Sequence, residues 1–213
     1  MRKREPDKTR QSLLQAAFDE INHHGFQSAS LNRILNETHV TKGALYHHFP
    51  SKLELGYAVI DELIRPDVTE TWIEPLRGTD NIVDALLTMI DNKLQLYTEK
   101  EIHLGCPLNN LSQEMSPIDE GFRERINAVF DDWRNTIAAG LREGQKKGIV
   151  KKDISADASA YFIVAAIEGA SSLAKNARQI EVLNISLNGL KEHIETLRHQ
   201  EPDTIKQGKV MHG

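Results

Sequence analysis

Apolar residues recur every three or four positions through most of this chain, which is the period of an amphipathic helix. The first such stripe is formed by Leu13, Leu14, Ala17, Phe18 and Ile21. Gly25 follows it as a helix stop. No long run alternates apolar and polar residues as a half-buried strand does. The pattern therefore predicts an all-α protein.

Short helices separated by cap residues are predicted in the first fifty or so residues. Ser30 is a good N-cap for the second helix, and Thr41 offers another cap a few residues after that helix ends. A tight turn is therefore expected at residues 38–40, followed by a third helix from Thr41 to about His48. Two helices joined in this way form a helix-turn-helix, whose second helix enters the major groove of DNA.

Longer helices are predicted in the remainder. Ser51 and Glu54 form a capping box, and the helix that they open should end or kink at Pro66. A break is expected from 75 to 80, with Asp80 as the next cap. The further helices are predicted at about 80–103, 107–115, 116–148, from Ser155 or Asp157 to 176, and 182–199.

Composition and motifs exclude several classes of protein. The single cysteine, Cys106, allows neither an intrachain disulfide nor a cysteine-based zinc site. The histidine pairs at 23–24 and 47–48 are adjacent, so their rings point to different faces, and no metal site is expected. No catalytic motif or cofactor fingerprint is present, which argues against an enzyme and predicts no cofactor. Without a membrane-length apolar run or a signal peptide, the protein is expected to be cytoplasmic.

The charge is distributed unevenly. The net charge is −5 for the whole chain, made up of +2 over residues 1–57 and −7 over the rest. A basic head on an acidic body suits contact with DNA, because Lys and Arg neutralise backbone phosphates.

Residues 40–55 read VTKGALYHHFPSKLEL. This segment closely resembles the signature of TetR-family repressors, and the resemblance extends over about residues 8–57. It implies a DNA-binding domain at 1–52 and a helical ligand-sensing and dimerisation domain at 53–199, with residues 200–213 predicted as a disordered tail. It also implies that double-stranded operator DNA contacts Ser30, Arg33, Thr41, Lys42, Gly43, Tyr46, His47 and Lys52.

One position departs from the family pattern. The family usually has glycine in the turn, where this chain has His39. That position often needs a positive φ, which histidine tolerates better than most other residues. The turn is therefore expected to survive.

The last two helices are expected to form a homodimer interface, as in similar proteins. The first is apolar nearly all round at its start and rich in small residues, so it should be buried on more than one side. The second contributes Leu183, Ile185, Leu187, Leu190, Ile194 and Leu197. A monomer core is the alternative reading of these residues.

The resemblance also implies a pocket among the middle helices for a small-molecule inducer, expected to be apolar or aromatic. The candidate ligand-binding residues are Trp72, Tyr97, Cys106, Asn109, Asn110, Phe130, Trp133 and Phe162. Gln113 and Glu168 are further polar candidates. The residue types of the polar candidates favour the alternative, in which they are ordinary core or surface residues.

Cys106 precedes Pro107 at a predicted helix N-terminus, which should lower the pKa of its thiol. Residues 104–111, LGCPLNNL, resemble a segment of a TetR subgroup in which some members sense electrophiles or oxidants. The alternative is a small buried apolar residue. The predicted function is thus a repressor controlled by a small molecule, with thiol-reactive compounds among the candidates; the alternative is a DNA-binding regulator controlled by a protein partner.

Overall fold

The computed structural model describes residues 6–199, with side chains for 8–99 and 101–199. Within that range the chain is helical, and its one extended pairing is an isolated bridge between Val150 and Arg198. The all-α prediction is confirmed. The helices are α1 (Pro6–His24), α2 (Leu31–Thr38), α3 (Lys42–His48), α4 (Lys52–Val59), α5 (Arg65–Val68), α6 (Ile82–Leu96), α7 (Glu99–Leu104), α8 (Pro107–Met115), α9 (Glu120–Lys146), α10 (Ala156–Ala177) and α11 (Ile180–Thr196). The predicted tail, 200–213, lies outside the described residues.

Helices α1 to α3 form the head. Their shared core contains Leu13, Ile34, Leu45 and Phe49, all buried. The predicted caps are confirmed: the Thr41 hydroxyl accepts a hydrogen bond from the backbone of Ala44, and Ser30 and Ser51 cap α2 and α4 in the same way. His39 has φ 53° and ψ 34°, the left-handed conformation expected for the turn.

Residues 52–76 form one connecting helix. It continues through Pro66, where the sequence predicted an end or a kink. The turn before it, Ile60–Ile64, is π-helical, and the N–H of Arg65 donates to the carbonyl of Ile60. A second π-helical turn spans Thr69–Ile73, and a 3₁₀ turn spans Glu74–Leu76. In this turn an N–H pairs with the carbonyl five residues back, which differs from the pairing of an ordinary α-helix that a proline interrupts.

Three helix starts in the body differ from the predictions. Asn81, not Asp80, caps α6. The segment expected at 80–103 is divided, because Thr98 and Glu101 form a capping box that opens α7. The long helix α9 opens at the cap Asp119 and not at Ser116. The predicted helix at 107–115 is confirmed as α8.

The body packs α9, α10 and α11 side by side, with α6 against α9 and α11. A continuous buried core runs from Leu13 in the head through Trp133 in α9 to Ile194 in α11. Between residues 6 and 199, no helix combines the length and the apolar character that crossing a membrane requires.

Candidate DNA-binding surface and ligand cavity

The outer face of α3 is exposed, as the sequence predicts. Leu45 and Phe49 are buried against the head, whereas Thr41, Lys42, Gly43, Tyr46 and His47 are exposed. A side chain at Gly43 would meet no atom within 4 Å, so this backbone is open to an approaching molecule. The Lys42 ammonium lies 5.9 Å from the centre of the Tyr46 ring. One helix face therefore presents a cation, a phenol and an imidazole together.

Arg33 and Ser30, predicted to touch the DNA backbone, both have partners within the head. The Arg33 Nε donates to Glu20 Oε1 over 2.8 Å, and the same carboxylate accepts from the backbone N–H of Ser30 over 2.7 Å. The Arg33 guanidinium lowers the pKa of Glu20. The role of Glu20 was not predicted from the sequence. The feature that could have indicated it is an acidic residue on the apolar stripe of α1. Arg33 thus holds α2 against α1, and its DNA contact stays a prediction.

Lys52 is likewise engaged. Its ammonium donates to the carbonyl of Gln27 over 3.0 Å and lies 5.0 Å from the centre of the Phe26 ring. Burial lowers its pKa. An ammonium has three donors, so phosphate binding by Lys52 stays a prediction. In this structure the hydrogen bond of Lys52 to Gln27 stabilises the turn between α1 and α2.

Head and body meet through polar contacts. The Arg10 guanidinium of α1 donates to both carboxylate oxygens of Glu62 in the connecting helix, over 2.5 and 2.6 Å. Glu114 of α8 accepts from the backbone N–H groups of Phe26 and Gln27, over 2.8 Å each. These contacts tie the position of the head to two body helices.

A cavity of about 460 Å³ lies at this junction. We call it the junction cavity. One wall is α1, through Gln15, Phe18, Asp19, Asn22 and His23. The other walls come from the connecting helix (Leu63, Ile64, Asp67, Val68, Trp72), from α6 to α8 and their joints (Lys93, Tyr97, Glu101, Leu104, Gly105, Cys106, Pro107), and from Glu168 of α10. A molecule in this space would touch the head directly. The contribution of α1 to this cavity was not predicted from the sequence.

Five of the eight predicted ligand residues lie in or next to this space. Trp72, Tyr97 and Cys106 line the junction cavity. Asn109 and Asn110 line an adjoining cavity of about 490 Å³, which shares Phe18, Asn22 and His23 with it. Both amides are engaged, Asn109 with the Ser172 hydroxyl and Asn110 with the Leu104 carbonyl and the Lys175 ammonium.

The structure keeps the other three predicted ligand residues out of the cavity walls. Trp133 is fully buried behind Trp72, with ring centres 5.2 Å apart. Phe130 packs against the core from α9. Phe162 is half exposed on the outer face of α10, edge-on to His193 at 4.6 Å. These three residues are therefore not among those that line the junction cavity.

Cys106 and Glu168 form a hydrogen-bonded pair in the wall of the cavity. The Cys106 thiol donates to Glu168 Oε1 over 3.5 Å. Burial, followed by the nearby Glu168, raises the pKa of the Cys106 thiol well above its usual value. The expected lowering by the helix N-terminus is wrong here because burial outweighs it. Burial also raises the pKa of Glu168, to about 7.

A second exposed surface runs along α10 and α11. It carries Tyr161, Phe162, Leu173 and Ile185, each at least half exposed, with the small exposed residues Ala165, Gly169 and Gly189 between them. We call it the α10–α11 face. Five of the six leucines and isoleucines predicted for the dimer interface are instead buried in the protomer, and only Ile185 lies outside.

Two known protein families match this chain, one in its N-terminal part and one in its C-terminal part. Residues 13–59 match the family described as "Bacterial regulatory proteins, tetR family", and residues 83–189 match the "Tetracyclin repressor-like, C-terminal domain". This chain belongs to the TetR family. Members of this family are transcriptional regulators and not enzymes, in agreement with the sequence prediction.

Individual TetR-family proteins support the assignment over nearly the whole chain. An HTH-type transcriptional regulator in the lacX 3′ region of Lactococcus lactis is 32% identical, covering 88% of this chain and 93% of the relative. The HTH-type transcriptional repressor DhaR of Mycobacterium sp. (strain GP1) is 26% identical, over 82% and 86%. A TetR transcriptional regulator from Chloroflexus aurantiacus superposes with a TM-score of 0.81 at 27% identity, covering 93% of this chain and 100% of that structure.

Proposed function

We propose that this TetR-family regulator is a repressor that binds operator DNA as a dimer and releases it when a small molecule fills the junction cavity. The observation that carries the proposal is the shape of that cavity, which has α1 of the DNA-binding head as one wall and body helices as the others. A molecule bound there contacts both parts at once. A volume of about 460 Å³ also falls in the range of small-molecule sites.

The exposed face of α3 supports operator binding. Helix-turn-helix proteins place the first turns of this helix in the major groove. Here those turns carry Thr41, Lys42 and Gly43, followed by Tyr46 and His47, all exposed. Lys42 suits a phosphate or a guanine edge, and Tyr46 and His47 can donate to phosphates or bases.

The α10–α11 face supports dimerisation. Large apolar side chains that stand exposed together mark interaction surfaces, and the small residues between them allow a partner helix to approach closely. We propose that a second copy of this chain covers the α10–α11 face, because helix-turn-helix dimers bind half-sites that lie about 34 Å apart or at a multiple of that distance. Two-fold pairing through one shared face meets this requirement.

Helix α8 supplies a route from ligand to DNA. It begins beside Cys106 in the cavity wall, and near its end Glu114 holds the turn that follows α1. Some ligands will bind more tightly when α1 and α8 are displaced than when they are in place. Such a ligand lowers the affinity for DNA, and the difference between its affinities for the two conformations sets the size of the effect.

We favour non-covalent binding over reaction with Cys106. A protonated, hydrogen-bonded thiol is a poor nucleophile, since the thiolate is the reactive form. The alternative predicted from the sequence is that a protein partner controls DNA binding. That alternative gives the junction cavity no role, so we favour control by a small molecule.

A cavity-filling variant tests this proposal. Leu104→Trp places an indole in the junction cavity and mimics the bound ligand. The matched control is Leu96→Trp on α6, where the side chain is 71% exposed. We expect Leu104→Trp to remain a folded dimer and to bind its operator at least about tenfold more weakly, equivalent to about 1.4 kcal/mol. Equal operator affinity for the folded Leu104→Trp variant and the control would contradict control through the cavity.

A further inference from the structure

Glu168 lines the junction cavity, and one oxygen of its carboxyl group has no partner in the described part of the chain. Its side chain is more than nine-tenths buried. Oε1 accepts the thiol hydrogen of Cys106, whereas Oε2 has no hydrogen-bond partner among the described residues. A buried polar atom in this state costs free energy unless something binds it. Because Glu168 lines the cavity, a ligand that reaches its carboxyl group can supply the missing partner.

The charges around the cavity indicate the sign of that group. Besides Glu168, three carboxyl-bearing residues line the cavity, namely Asp19, Asp67 and Glu101. Lys93 is the one lysine or arginine among the lining residues of the described chain, and its ammonium lies 4.7 Å from the centre of the Tyr97 ring. Carboxyl groups in excess over cations favour the entry of a cation.

Aromatic rings supply the rest of a cation site. Phe18, Trp72 and Tyr97 line the same space, together with aliphatic side chains such as Val68. Aromatic faces attract ammonium groups, and apolar walls bind a hydrocarbon body. We infer that the ligand of the junction cavity is a small hydrophobic amine, whose ammonium group pairs with the free oxygen of Glu168. This inference names the ligand class for the proposed function and rests on it.

The ionisation of Glu168 is compatible with this pairing. Burial raises its pKa to about 7, so the carboxyl is partly protonated in the empty cavity near neutral pH. A bound ammonium stabilises the carboxylate and draws the pKa down. A neutral carbonyl compound would instead accept a hydrogen bond from the protonated form, but it would gain nothing from the other carboxyl groups.

Three probes with one hydrocarbon body separate the possibilities: 4-phenylbutylamine, 4-phenylbutyramide and 4-phenylbutyrate. Binding to the full-length protein is measured by calorimetry at pH 8. We expect the amine to bind at least tenfold more tightly than the amide, and the carboxylate to bind most weakly. Glu168→Gln should bring the amine to within about threefold of the amide. Glu124→Gln, the same change at an exposed position of α9, should leave the preference intact.

The pH dependence gives a readout in the unmodified protein. With a carboxyl pKa of about 7, only about one tenth of Glu168 is ionised at pH 6, so amine affinity should rise about tenfold from pH 6 to pH 8. Cys106 and Tyr97 face Glu168 directly, and Asp19, His23, Asp67, Lys93 and Glu101 line the same cavity. Loss of the pH dependence in Glu168→Gln assigns it to Glu168 rather than to these groups.

Several outcomes overturn the inference: no amine binding at millimolar concentration, tighter binding of the amide, or an amine affinity that Glu168→Gln leaves unchanged. Release of operator DNA is measured in parallel. If the amine binds through Glu168 without weakening operator binding, the ligand class stands and ligand control of DNA binding fails. If the amide or the carboxylate releases the operator and the amine does not, ligand control stands and the ligand class is wrong.

Discussion

The carboxylate of Glu114 accepts a hydrogen bond of 2.8 Å from the backbone N–H of Phe26, in the turn that joins α1 to α2. Its second oxygen accepts from Gln27 at the same distance. The turn is shaped for this contact, because Gly25 has φ 78° and a Cβ there would lie 2.9 Å from the Glu114 carboxylate. Helix α8 therefore contacts the junction cavity at its beginning and the DNA-binding head near its end.

Replacing Glu114 by Ala should uncouple the two sites. The variant leaves two backbone donors without their acceptor, so we expect the free energy of unfolding to fall by about 1–3 kcal/mol. The ligand or the Leu104→Trp change should then alter operator affinity less than in the unmodified protein. Chemical denaturation and DNA titrations measure the two effects. Glu124→Ala is the control, and equal behaviour of both variants would remove Glu114 from the coupling route.

His39 offers a test of the helix-turn-helix turn. Its left-handed backbone, at φ 53°, is disfavoured for residues with a Cβ by about 1–2 kcal/mol. We therefore expect His39→Gly to be more stable than His39→Ala by about 1 kcal/mol, as measured by thermal or chemical unfolding. Both variants lack the imidazole, so their difference reports the backbone alone. An alanine variant as stable as the glycine variant would show that the turn relaxes out of this conformation.

The sequence predicted the head better than the cavity, and the reason is physical. Caps such as Ser30 and Thr41 act within one turn of helix, so local spacing reveals them. The walls of the junction cavity come from helices that are distant along the chain, and nothing near Phe18 or Asn22 in the sequence indicates that α1 forms part of it. Phe162 was predicted in the pocket for the same reason. Its position along α10 does not reveal which face of that helix packs against the other helices of the protomer. The helix does not end at Pro66, and the local sequence pattern gave no sign of the π-helical turn that precedes it.

The ionisation of Glu168 should appear in the pH dependence of stability. Its folded pKa of about 7 lies above 4.5, the usual pKa of an exposed glutamic acid. The folded state therefore holds a proton that the unfolded state has lost between these values, and stability falls as pH rises through this window. Above pH 7 we expect Glu168→Gln to be more stable than the unmodified protein by roughly 2–3 kcal/mol, with little difference at pH 4.5. Parallel stability curves for the two proteins would contradict a buried, protonated Glu168.

Cys106 is the single cysteine of the chain, so its reactivity is simple to measure. Because burial raises the pKa of its thiol, we expect the native protein to react with Ellman's reagent at pH 7 more slowly than the unfolded protein. Glu168→Gln removes a nearby negative charge and should accelerate the native reaction. A fast native reaction, together with loss of inducer response in Cys106→Ser, would favour a thiol-reactive inducer.

The central claim, operator recognition by a dimer through α3, is tested most directly by selecting binding sites from random DNA duplexes with the full-length protein at fixed salt. We expect two-fold symmetric sites whose half-sites lie about 34 Å apart or at a multiple of that distance. Lys42→Ala and Tyr46→Ala should lose this selectivity, and Lys42→Ala should lower the salt slope of binding by about one per subunit. The control Lys152→Ala, at an exposed position after α9, should bind normally. Failure to enrich any sequence, or unchanged selectivity in both α3 variants, would contradict the account.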